Sequence, residues 1–252
     1  RLVLLDDNFS TLVHAVQGGR TIFDNIKKTV FASLTTNIGE LAVVLLGLLA
    51  AALWSYPIPI LAGQILAVDL LGEIGPLTLL TFDPPDRDVM TRPPRKPQEH
   101  LLNLSAGIEI ALLGIFIGGL AFLNFFLFMG REGNILTADS VGTPAYARAT
   151  TLSYATIVFC QYFNILQRRS ERRSLFNPYF FANRILLWSI PGSIGLVALA
   201  MYGPFISDFL GFGPPVATDW LFVLGASVFY MTVFELLKLF KRVRRRRGEA
   251  RT

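Results

Sequence analysis

The chain has 252 residues, of which 52% are hydrophobic and only 16% are charged, and phenylalanine alone contributes 21 residues. A soluble domain of this length would struggle to bury so much apolar surface, so the composition is typical of a polytopic membrane protein. The net charge of +5 does not indicate nucleic-acid binding, because the basic residues flank apolar segments instead of forming one folded basic face.

The first 28 residues differ from the rest of the chain in being more polar. Leu2–Leu5 is a short apolar run that predicts a buried strand, and Asn8 or Ser10 is a candidate N-cap for the polar helix that follows. One strand cannot form a sheet, and the chain opens on Arg1 instead of a methionine. We therefore expect residues 1–28 to be the remnant of a larger cytoplasmic α/β domain, followed by a stalk.

Six apolar segments are long enough to cross about 30 Å of hydrocarbon as helices. They are Val30–Trp54, Ile58–Thr81, Leu101–Met129, Ala147–Leu166, Ile185–Tyr202 and Trp220–Phe240. Basic residues cluster after the second, fourth and sixth segments, whereas the other three connections contain only Arg131. The positive-inside rule then predicts that the basic loops and both termini are cytoplasmic. The sequence thus predicts an all-α protein of the cell membrane, with a six-helix transmembrane domain over 29–240 and a basic tail over 241–252.

The loop over residues 82–100 is predicted to be cytoplasmic and ordered. Its five prolines lower the entropy that is lost when the loop takes up one conformation. Its charges are expected to form ion pairs in which Arg87, Arg92 and Arg95 meet Asp83, Asp86 and Asp88.

Four polar side chains lie within the first two apolar segments, namely Asn37, Glu40, Asp69 and Glu73. A carboxylate near the bilayer midplane costs about 2.5–3.5 kcal/mol on insertion scales, and it is retained where it faces a partner, a cavity or an ion. Asn37 and Glu40 are three residues apart, and Asp69 and Glu73 are four apart, so each pair projects from one face of its helix. The sequence therefore predicts an oxygen-lined pocket between the two helices.

The second apolar segment is also predicted to be broken, because Gly72, Gly75 and Pro76 surround Glu73. Unwound backbone at bilayer depth is tolerated where it lines a cavity. Freed carbonyls and carboxylates are hard oxygen ligands that suit Na⁺, K⁺, Ca²⁺ or Mg²⁺. The alternative is a structural kink whose carboxyl groups are protonated or hydrogen-bonded.

Polar residues in the later segments carry a weaker signal. Gln161 and Asn164 could join the pocket or could link helices through amide hydrogen bonds, and the sequence leaves both roles open. Glu109 lies near one end of its segment and is expected to reach interfacial water.

Seven short motifs follow one another along the chain. They are LLDDNFS at 4–10, GR at 19–20, NIKK at 25–28, NIGE at 37–40, DLLGEIGP at 69–76, PP at 84–85 and MTRPPR at 90–95. In this order they resemble the end of the phosphorylation domain and membrane helices five to ten of the type II P-type cation ATPases. The resemblance covers essentially all 252 residues.

The resemblance implies that the chain is the cation-binding and translocating membrane half of an ATP-driven pump. The metal ligands that it implies are Asn37, Glu40, Asp69, Glu73, Gln161 and Asn164. Asp69 is similar to the pattern of the sodium–potassium pumps, whereas calcium pumps usually carry Asn there. A calcium-pump glutamate of the eighth helix is matched to Arg168, which implies that a second calcium site of the animal type is incomplete.

The sequence contains no Asp-Lys-Thr-Gly phosphorylation motif and no Thr-Gly-Glu loop, so we do not expect this chain alone to hydrolyse ATP. The resemblance implies that ATP and Mg²⁺ act through cytoplasmic domains, and that the partners are the N-terminal half of the pump, the lipid bilayer and the transported cation, Na⁺, K⁺ or Ca²⁺. Two other functions stay open. A passive conduit or exchanger would show inverted repeats and a symmetric pair of broken helices, and a non-transporting scaffold or remnant would merely retain its carboxylates.

Overall fold

The structure is a computed structural model that describes residues 9–94, 101–131, 138–170, 174–175 and 178–249. These residues are mostly helical, and no strand occurs among them, so the predicted all-α membrane class is confirmed. The strand predicted for Leu2–Leu5 lies outside the described residues.

The described part of the chain contains seven α-helices when the interrupted second one is counted once. They are α1 (Phe9–Trp54), α2 (Ala62–Leu80), α3 (Leu104–Arg131), α4 (Pro144–Arg168), α5 (Arg184–Tyr202), α6 (Pro204–Leu210) and α7 (Trp220–Glu249). Short 3-10 turns at Ala138–Ser140 and Pro178–Ala182 lie in the connections before α4 and α5.

Five of the helices, α1, α2, α3, α5 and α7, are long and apolar enough to cross a membrane. Helix α4 has 25 residues and is long enough, but it is not among these five because it is more polar. Most of its residues are buried, and it packs against α1, α2, α3 and α7. A helix enclosed by other helices does not need a lipid-compatible surface, so its polarity does not rule out a crossing. The fourth of the six predicted crossings therefore stays a prediction.

Helix α1 has 46 residues, more than twice the length of about 20 that a membrane crossing needs. It contains no proline and runs without interruption through the predicted boundary between residues 28 and 29, so the segments predicted as the stalk and as the first crossing form one helix. The helix ends at Trp54, and the chain reverses at the next residue, Ser55, whose φ of 56° is left-handed. The returning segment packs so closely that a Cβ atom on Gly47 would lie 2.3 Å from the Cδ atom of Pro59.

Helix α2 is irregular at the point where the sequence predicts a break. It consists of an α-helix over Ala62–Ala67, a π-helical turn over Val68–Glu73 and a second α-helix over Ile74–Leu80. The N–H group of Ile74 donates to the carbonyl oxygen of Asp69, five residues earlier, which is the π pattern. The predicted break is therefore a widened turn within a continuous helix, and Asp69 and Glu73 both belong to that turn.

Helices α1 and α3 approach each other closely at glycine. A Cβ atom on Gly118 would lie 2.4 Å from the carbonyl oxygen of Gly39, and one on Gly114 would lie 2.6 Å from the carbonyl oxygen of Thr35. Small residues spaced four apart let helix backbones meet in this way. The contact fixes α1 next to Glu40, the residue that follows Gly39.

The loop that follows α2 is described as far as Pro94 and is bound to α1. Arg92 donates hydrogen bonds to Asp88 at 2.6 Å and to Asp86 at 3.3 Å, and it also donates to Asp24 of α1 at 2.7 Å. Hydrogen bonding to Asp88 raises the pKa of Arg92, so the guanidinium keeps its charge. Arg95, the third predicted partner, lies outside the described residues.

Asp83 has partners other than the loop arginines that the sequence predicts for it. Its side chain is fully buried and forms ion pairs with Arg169 at 3.0 Å and with Lys28 of α1 at 3.3 Å. The amide of Asn183, immediately before α5, donates to the same carboxylate at 3.2 Å. The physical reason for the difference is burial, since a fully enclosed carboxylate needs partners from the helices that enclose it.

Candidate functional site

Three carboxyl groups of α1 and α2 meet between the two helices. One carboxylate oxygen from each of Glu40, Asp69 and Glu73 lies within 4.8 Å of the others. Glu40 and Glu73 are 7% and 4% exposed, whereas Asp69 is more accessible. The structure therefore brings together three of the six residues that the sequence singles out.

The local backbone explains why these side chains meet. Asp69 and Glu73 are the second and the last residue of the π turn, and the turn points both toward α1. Glu40 faces them from α1, one residue after the close contact of Gly39 with α3. The cluster thus depends on two backbone features, the widened turn of α2 and the close packing of α1 on α3.

Several polar atoms of this cluster have no hydrogen-bond partner among the described residues. They are both carboxyl oxygens of Glu73, the Oε1 atom of Glu40 and both side-chain amide atoms of Gln161. Ser33 of α1 and Gln161 of α4 lie next to the Glu73 carboxyl, but they do not satisfy its oxygens. Because buried polar groups in proteins are nearly always paired, such a concentration of unpaired oxygens fits a hard cation as ligand.

Gln161 and Asn164 are both fully buried, but they lie at different levels of the helix pair. Gln161 is beside Glu73. Asn164 donates through its Nδ2 atom to the carbonyl oxygen of Ala32 at 2.9 Å, about 12 Å along α1 from Glu40 at 1.5 Å per residue. The Asn164 amide thus links α4 to α1, whereas Gln161 lies within reach of the cluster, and the ligand roles of both stay predictions.

Asn37 does not share the buried environment of Glu40. It lies on an exposed face of α1, although it is only three residues before the buried Glu40. Positions three apart in an α-helix differ by about 60° around the axis, which is enough to separate an inward face from an outward one.

Arg168, which the resemblance matches to a ligand position, is not part of the cluster. It lies in the last turn of α4, is 4% exposed and donates to Glu109 of α3 at 3.1 Å and to Thr35 of α1 at 3.3 Å. Lys241 of α7 also pairs with Glu109. Glu109, which was expected to reach interfacial water, therefore joins two basic side chains at this end of the bundle.

The residue that α4 places against the π turn is Val158. It is fully buried, and a Cβ atom on Gly72 would lie 3.2 Å from its Cγ2 atom. Helix α4 contains no acidic residue, so it contributes an apolar contact and the amide of Gln161 to this side of the cluster. The sequence gives no warning of this contact, since valine is an ordinary residue in an apolar segment.

Ser193 of α5 is a further contact of the π turn that sequence reasoning missed. Its hydroxyl donates to the carbonyl oxygens of Leu71 and Gly72. A single serine in an apolar segment carries no signal, and the sequence separation of 121 between Ser193 and Gly72 conceals the pairing.

Comparisons with known proteins give consistent results. A family model described as "Cation transporting ATPase, C-terminus" matches residues 57–240. The chain is 34% identical over 226 residues to a calcium-transporting ATPase of Bacillus subtilis (strain 168), covering 90% of this chain and 24% of that protein. It is 32% identical over 242 residues to calcium-transporting ATPase type 2C member 2 of Mus musculus, covering 96% and 24%. It is 30% identical to calcium-transporting ATPase 4, endoplasmic reticulum-type, of Arabidopsis thaliana, covering 94% and 26%. The chain thus spans about a quarter of the length of these relatives.

Proposed function

Because this chain belongs to the family of cation-transporting P-type ATPases, whose C-terminal membrane region it matches, we propose that it forms the part of a calcium pump that binds Ca²⁺ within the membrane. The observation that carries the proposal is the meeting of Glu40, Asp69 and Glu73 within 4.8 Å. In this assignment the three carboxylates are ligands, Gln161 is a further candidate ligand, and Ca²⁺ is the transported substrate.

The spacing of the oxygens is compatible with Ca²⁺ as the ion. Oxygen ligands lie about 2.3–2.6 Å from Ca²⁺, so two ligands on opposite sides of one ion are about 4.6–5.2 Å apart. The 4.8 Å limit of the cluster lies within that range. Asp69 suggested a sodium–potassium-like site, but the relatives that match most of this chain are named as calcium-transporting.

A single Ca²⁺ fits the acidic residues better than two. One cluster of three carboxylates occurs among the described residues, and α4 adds no acidic side chain to it. We therefore propose one calcium ion bound between α1 and α2.

Two features support completion of the site by another part of a longer pump. Asn37 is an amide on an exposed face of a membrane helix, and Asp69 is accessible at the edge of the cluster. Polar groups at bilayer depth require a polar partner, which lipid does not supply. In this proposal the N-terminal part of the pump covers that face, and its cytoplasmic domains bind Mg²⁺ and ATP and carry out phosphoryl transfer.

The proposed topology has six crossings of the cell membrane, with α4 enclosed by the other helices and both termini in the cytoplasm. The basic residues after the second, fourth and sixth apolar segments support this orientation. A passive conduit or exchanger is less well supported, because α2 is the one membrane helix with a π-helical interruption among the described residues.

The test is to replace Glu73 by Gln and, separately, Glu40 by Gln in the full-length pump. Each change keeps the size of the side chain and removes one negative charge. We expect the Ca²⁺ concentration for half-maximal ATPase activity to rise at least about tenfold, a loss of about 1.4 kcal/mol of binding free energy. Glu109→Gln is the matched control, because it neutralises a membrane carboxylate that pairs with Arg168 outside the cluster.

The scaffold alternative gives a different outcome. A buried charge without an ion is costly to hold, so neutralising it would leave the protein as stable or more stable and would not change its response to Ca²⁺. If Glu73→Gln has the Ca²⁺ dependence of the Glu109→Gln control, the calcium site is not at this cluster.

A further inference from the structure

The π turn of α2 leaves two carbonyl groups with an unusual need for a hydrogen-bond donor. In an α-helix the carbonyl of Gly72 would accept from residue 76, and in a π-helix the carbonyl of Leu71 would accept from the same residue. That residue is Pro76, which has no N–H group. Gly72 is buried, so a carbonyl left unpaired here would not find water.

Ser193 of α5 supplies the donor. Its side-chain oxygen lies 2.5 Å from the carbonyl oxygen of Leu71 and 3.1 Å from that of Gly72, and the residue is 5% exposed. The hydroxyl of Tyr162 lies 2.8 Å from the same serine oxygen. A carbonyl can only accept, so the one serine proton is committed to α2 and Tyr162 donates to Ser193. The result is a buried chain of hydrogen bonds from α4 through α5 to α2.

These hydrogen bonds hold the segment of α2 that carries the carboxylates Asp69 and Glu73. Gly72 immediately precedes Glu73, and Leu71 lies two residues after Asp69. Gly72 is held on another side by the Val158 side chain, 3.2 Å from where its Cβ atom would be. Ser193 and Val158 therefore fix the rotation of the π turn about its own axis, and that rotation determines whether Glu73 points at Glu40.

We propose that Ser193 and Tyr162 are positioning residues that set cation affinity by holding the π turn of α2 in the orientation that directs Glu73 at Glu40. The proposal rests on the function proposed above, since it assumes that this cluster binds Ca²⁺. Neither hydroxyl is a ligand. Without the Ser193 hydroxyl, the carbonyls of Leu71 and Gly72 turn toward another donor, and the adjoining carboxylate moves with them.

The test compares Ser193→Ala with two reference variants in the full-length pump. Ser193→Thr keeps a hydroxyl at the same position. Ser189→Ala deletes a hydroxyl one turn earlier in α5 that donates to the carbonyl of Leu186 in its own helix, and no hydrogen bond from it to α2 occurs among the described residues. The measurements are equilibrium binding of radioactive Ca²⁺ without ATP, the Ca²⁺ concentration for half-maximal ATPase activity, the maximal rate and the thermal unfolding midpoint.

We expect Ser193→Ala to weaken Ca²⁺ binding about tenfold, equivalent to about 1.4 kcal/mol, with the maximal rate unchanged. Ser193→Thr and Ser189→Ala should stay within about twofold of the unmodified pump. Wild-type Ca²⁺ binding by Ser193→Ala overturns the proposal. A fall in maximal rate and unfolding midpoint without a change in Ca²⁺ binding also overturns it, because it would assign Ser193 a purely structural role.

Tyr162→Phe gives a second and milder test, which decides the matter if Ser193→Ala does not accumulate. It removes the donor to Ser193 but keeps the ring, so we expect a weakening of Ca²⁺ binding of about threefold. Because Tyr162 acts through Ser193, the double variant should bind Ca²⁺ no more weakly than Ser193→Ala alone. Additive effects, or wild-type binding by Tyr162→Phe, overturn the pairing.

Measuring Glu73→Gln in the same Ca²⁺-binding assay separates failure of this proposal from failure of the calcium site on which it rests. If Glu73→Gln has lost Ca²⁺ binding while Ser193→Ala has kept it, the calcium site stands and the positioning role fails. If Glu73→Gln binds Ca²⁺ normally, the calcium site itself is elsewhere.

Discussion

Three carboxylates within 4.8 Å of one another are an unfavourable arrangement unless positive charge is close. Their like charges repel, and Glu40 and Glu73 are also shielded from water. Among the described residues, ion pairs form at acidic side chains such as Glu109, Asp219 and Glu235, but no lysine or arginine pairs with the three carboxylates. The arrangement is therefore one that a divalent cation stabilises directly.

Asp69 provides a test of how the cation is shared among the three. Replacing Asp69 by Asn preserves its shape and removes one charge, so we expect the Ca²⁺ concentration for half-maximal ATPase activity to rise about three- to tenfold. The effect should be smaller than that of Glu73→Gln, because Asp69 is more accessible and water can replace part of its contribution. Asp208→Asn, at an exposed acidic residue of α6, is the control.

The same experiment identifies the ion when it is repeated with Na⁺, K⁺, Ca²⁺ and Mg²⁺. A shift confined to Na⁺ or K⁺ would favour the sodium–potassium-like pattern that Asp69 suggests. An unchanged half-saturating concentration for every activating ion would remove Asp69 from the site.

The predictable residues of the site are those that break a local rule. Glu40, Asp69 and Glu73 stand out because carboxylates are rare in apolar segments. Arg168 shows the converse case. Its basic neighbours in the sequence suggest a solvated loop, but it is buried and pairs with Glu109, which is 59 positions away in the sequence. Ser193 and Val158 cannot be identified in this way, because serine and valine are ordinary residues in an apolar segment. Contacts between ordinary residues that are distant in sequence are fixed by helix packing, which periodicity alone does not specify.

At the scale of the elements, the close contact of α1 with α3 fixes the position of the Glu40 backbone. Gly39, Gly114 and Gly118 form this contact, and Gly39 directly precedes Glu40. A larger residue in the contact would move the Glu40 backbone relative to the π turn. The spacing of Gly114 and Gly118 is the small-residue pattern of packed membrane helices, so it is a signal that the sequence contains.

Gly118 and Gly119 make a matched pair for testing this contact. A Cβ atom on Gly118 would meet the carbonyl oxygen of Gly39 at 2.4 Å, whereas one on Gly119 would meet nothing within 4 Å. We expect Gly118→Ala to destabilise the protein by about 1–3 kcal/mol through overpacking. Gly119→Ala should be neutral or stabilising by about 0.5–1 kcal/mol, since alanine favours helices. Chemical unfolding in detergent measures both, and equal stabilities would contradict the contact.

Helix α4 shows why the number of crossings is harder to derive than the fold class. The sequence predicts a crossing over Ala147–Leu166, and the structure has a helix over Pro144–Arg168 that is more polar than the five apolar membrane helices. Because α4 is enclosed by other helices, it can carry polar residues. Buried threonines such as Thr151 and Thr156 donate to carbonyl oxygens of their own helix. The polarity of a membrane helix thus depends on whether other helices enclose it, and polarity alone does not show whether the helix crosses the membrane.

At the scale of the whole molecule, Asp83 joins four helices at one end of the bundle. It follows α2, pairs with Lys28 of α1 and with Arg169 just after α4, and accepts from Asn183 just before α5. The main chain here is also bound, since Asn25 donates to the carbonyl oxygen of Asp83 at 2.6 Å. Movement of the N-terminal part of α1 is therefore coupled mechanically to the ends of α2, α4 and α5.

Asp83→Asn should destabilise the protein strongly. The change leaves the Arg169 guanidinium, 3% exposed, without its carboxylate, and loss of one partner of a buried ion pair costs about 3–5 kcal/mol. Asp88→Asn is the control, because Asp88 pairs with Arg92 in a more accessible position and its loss should cost less than about 1 kcal/mol. Denaturant unfolding in detergent compares the two variants, and a similar small loss for both would contradict the joining role of Asp83.

The orientation of the whole molecule in the membrane can be tested with single cysteines. The natural Cys160 is completely buried, so it should not react with a membrane-impermeant maleimide and need not be removed. Arg87 is exposed in the loop after α2, and Val216 is exposed in the loop before α7. The positive-inside rule predicts that these loops lie on opposite sides, with Arg87 in the cytoplasm. We expect Arg87→Cys to be labelled only when the cytoplasmic face is accessible and Val216→Cys only from the other face. Labelling of both from one side would mean that the number of crossings between them is even, and α4 would then not span the membrane.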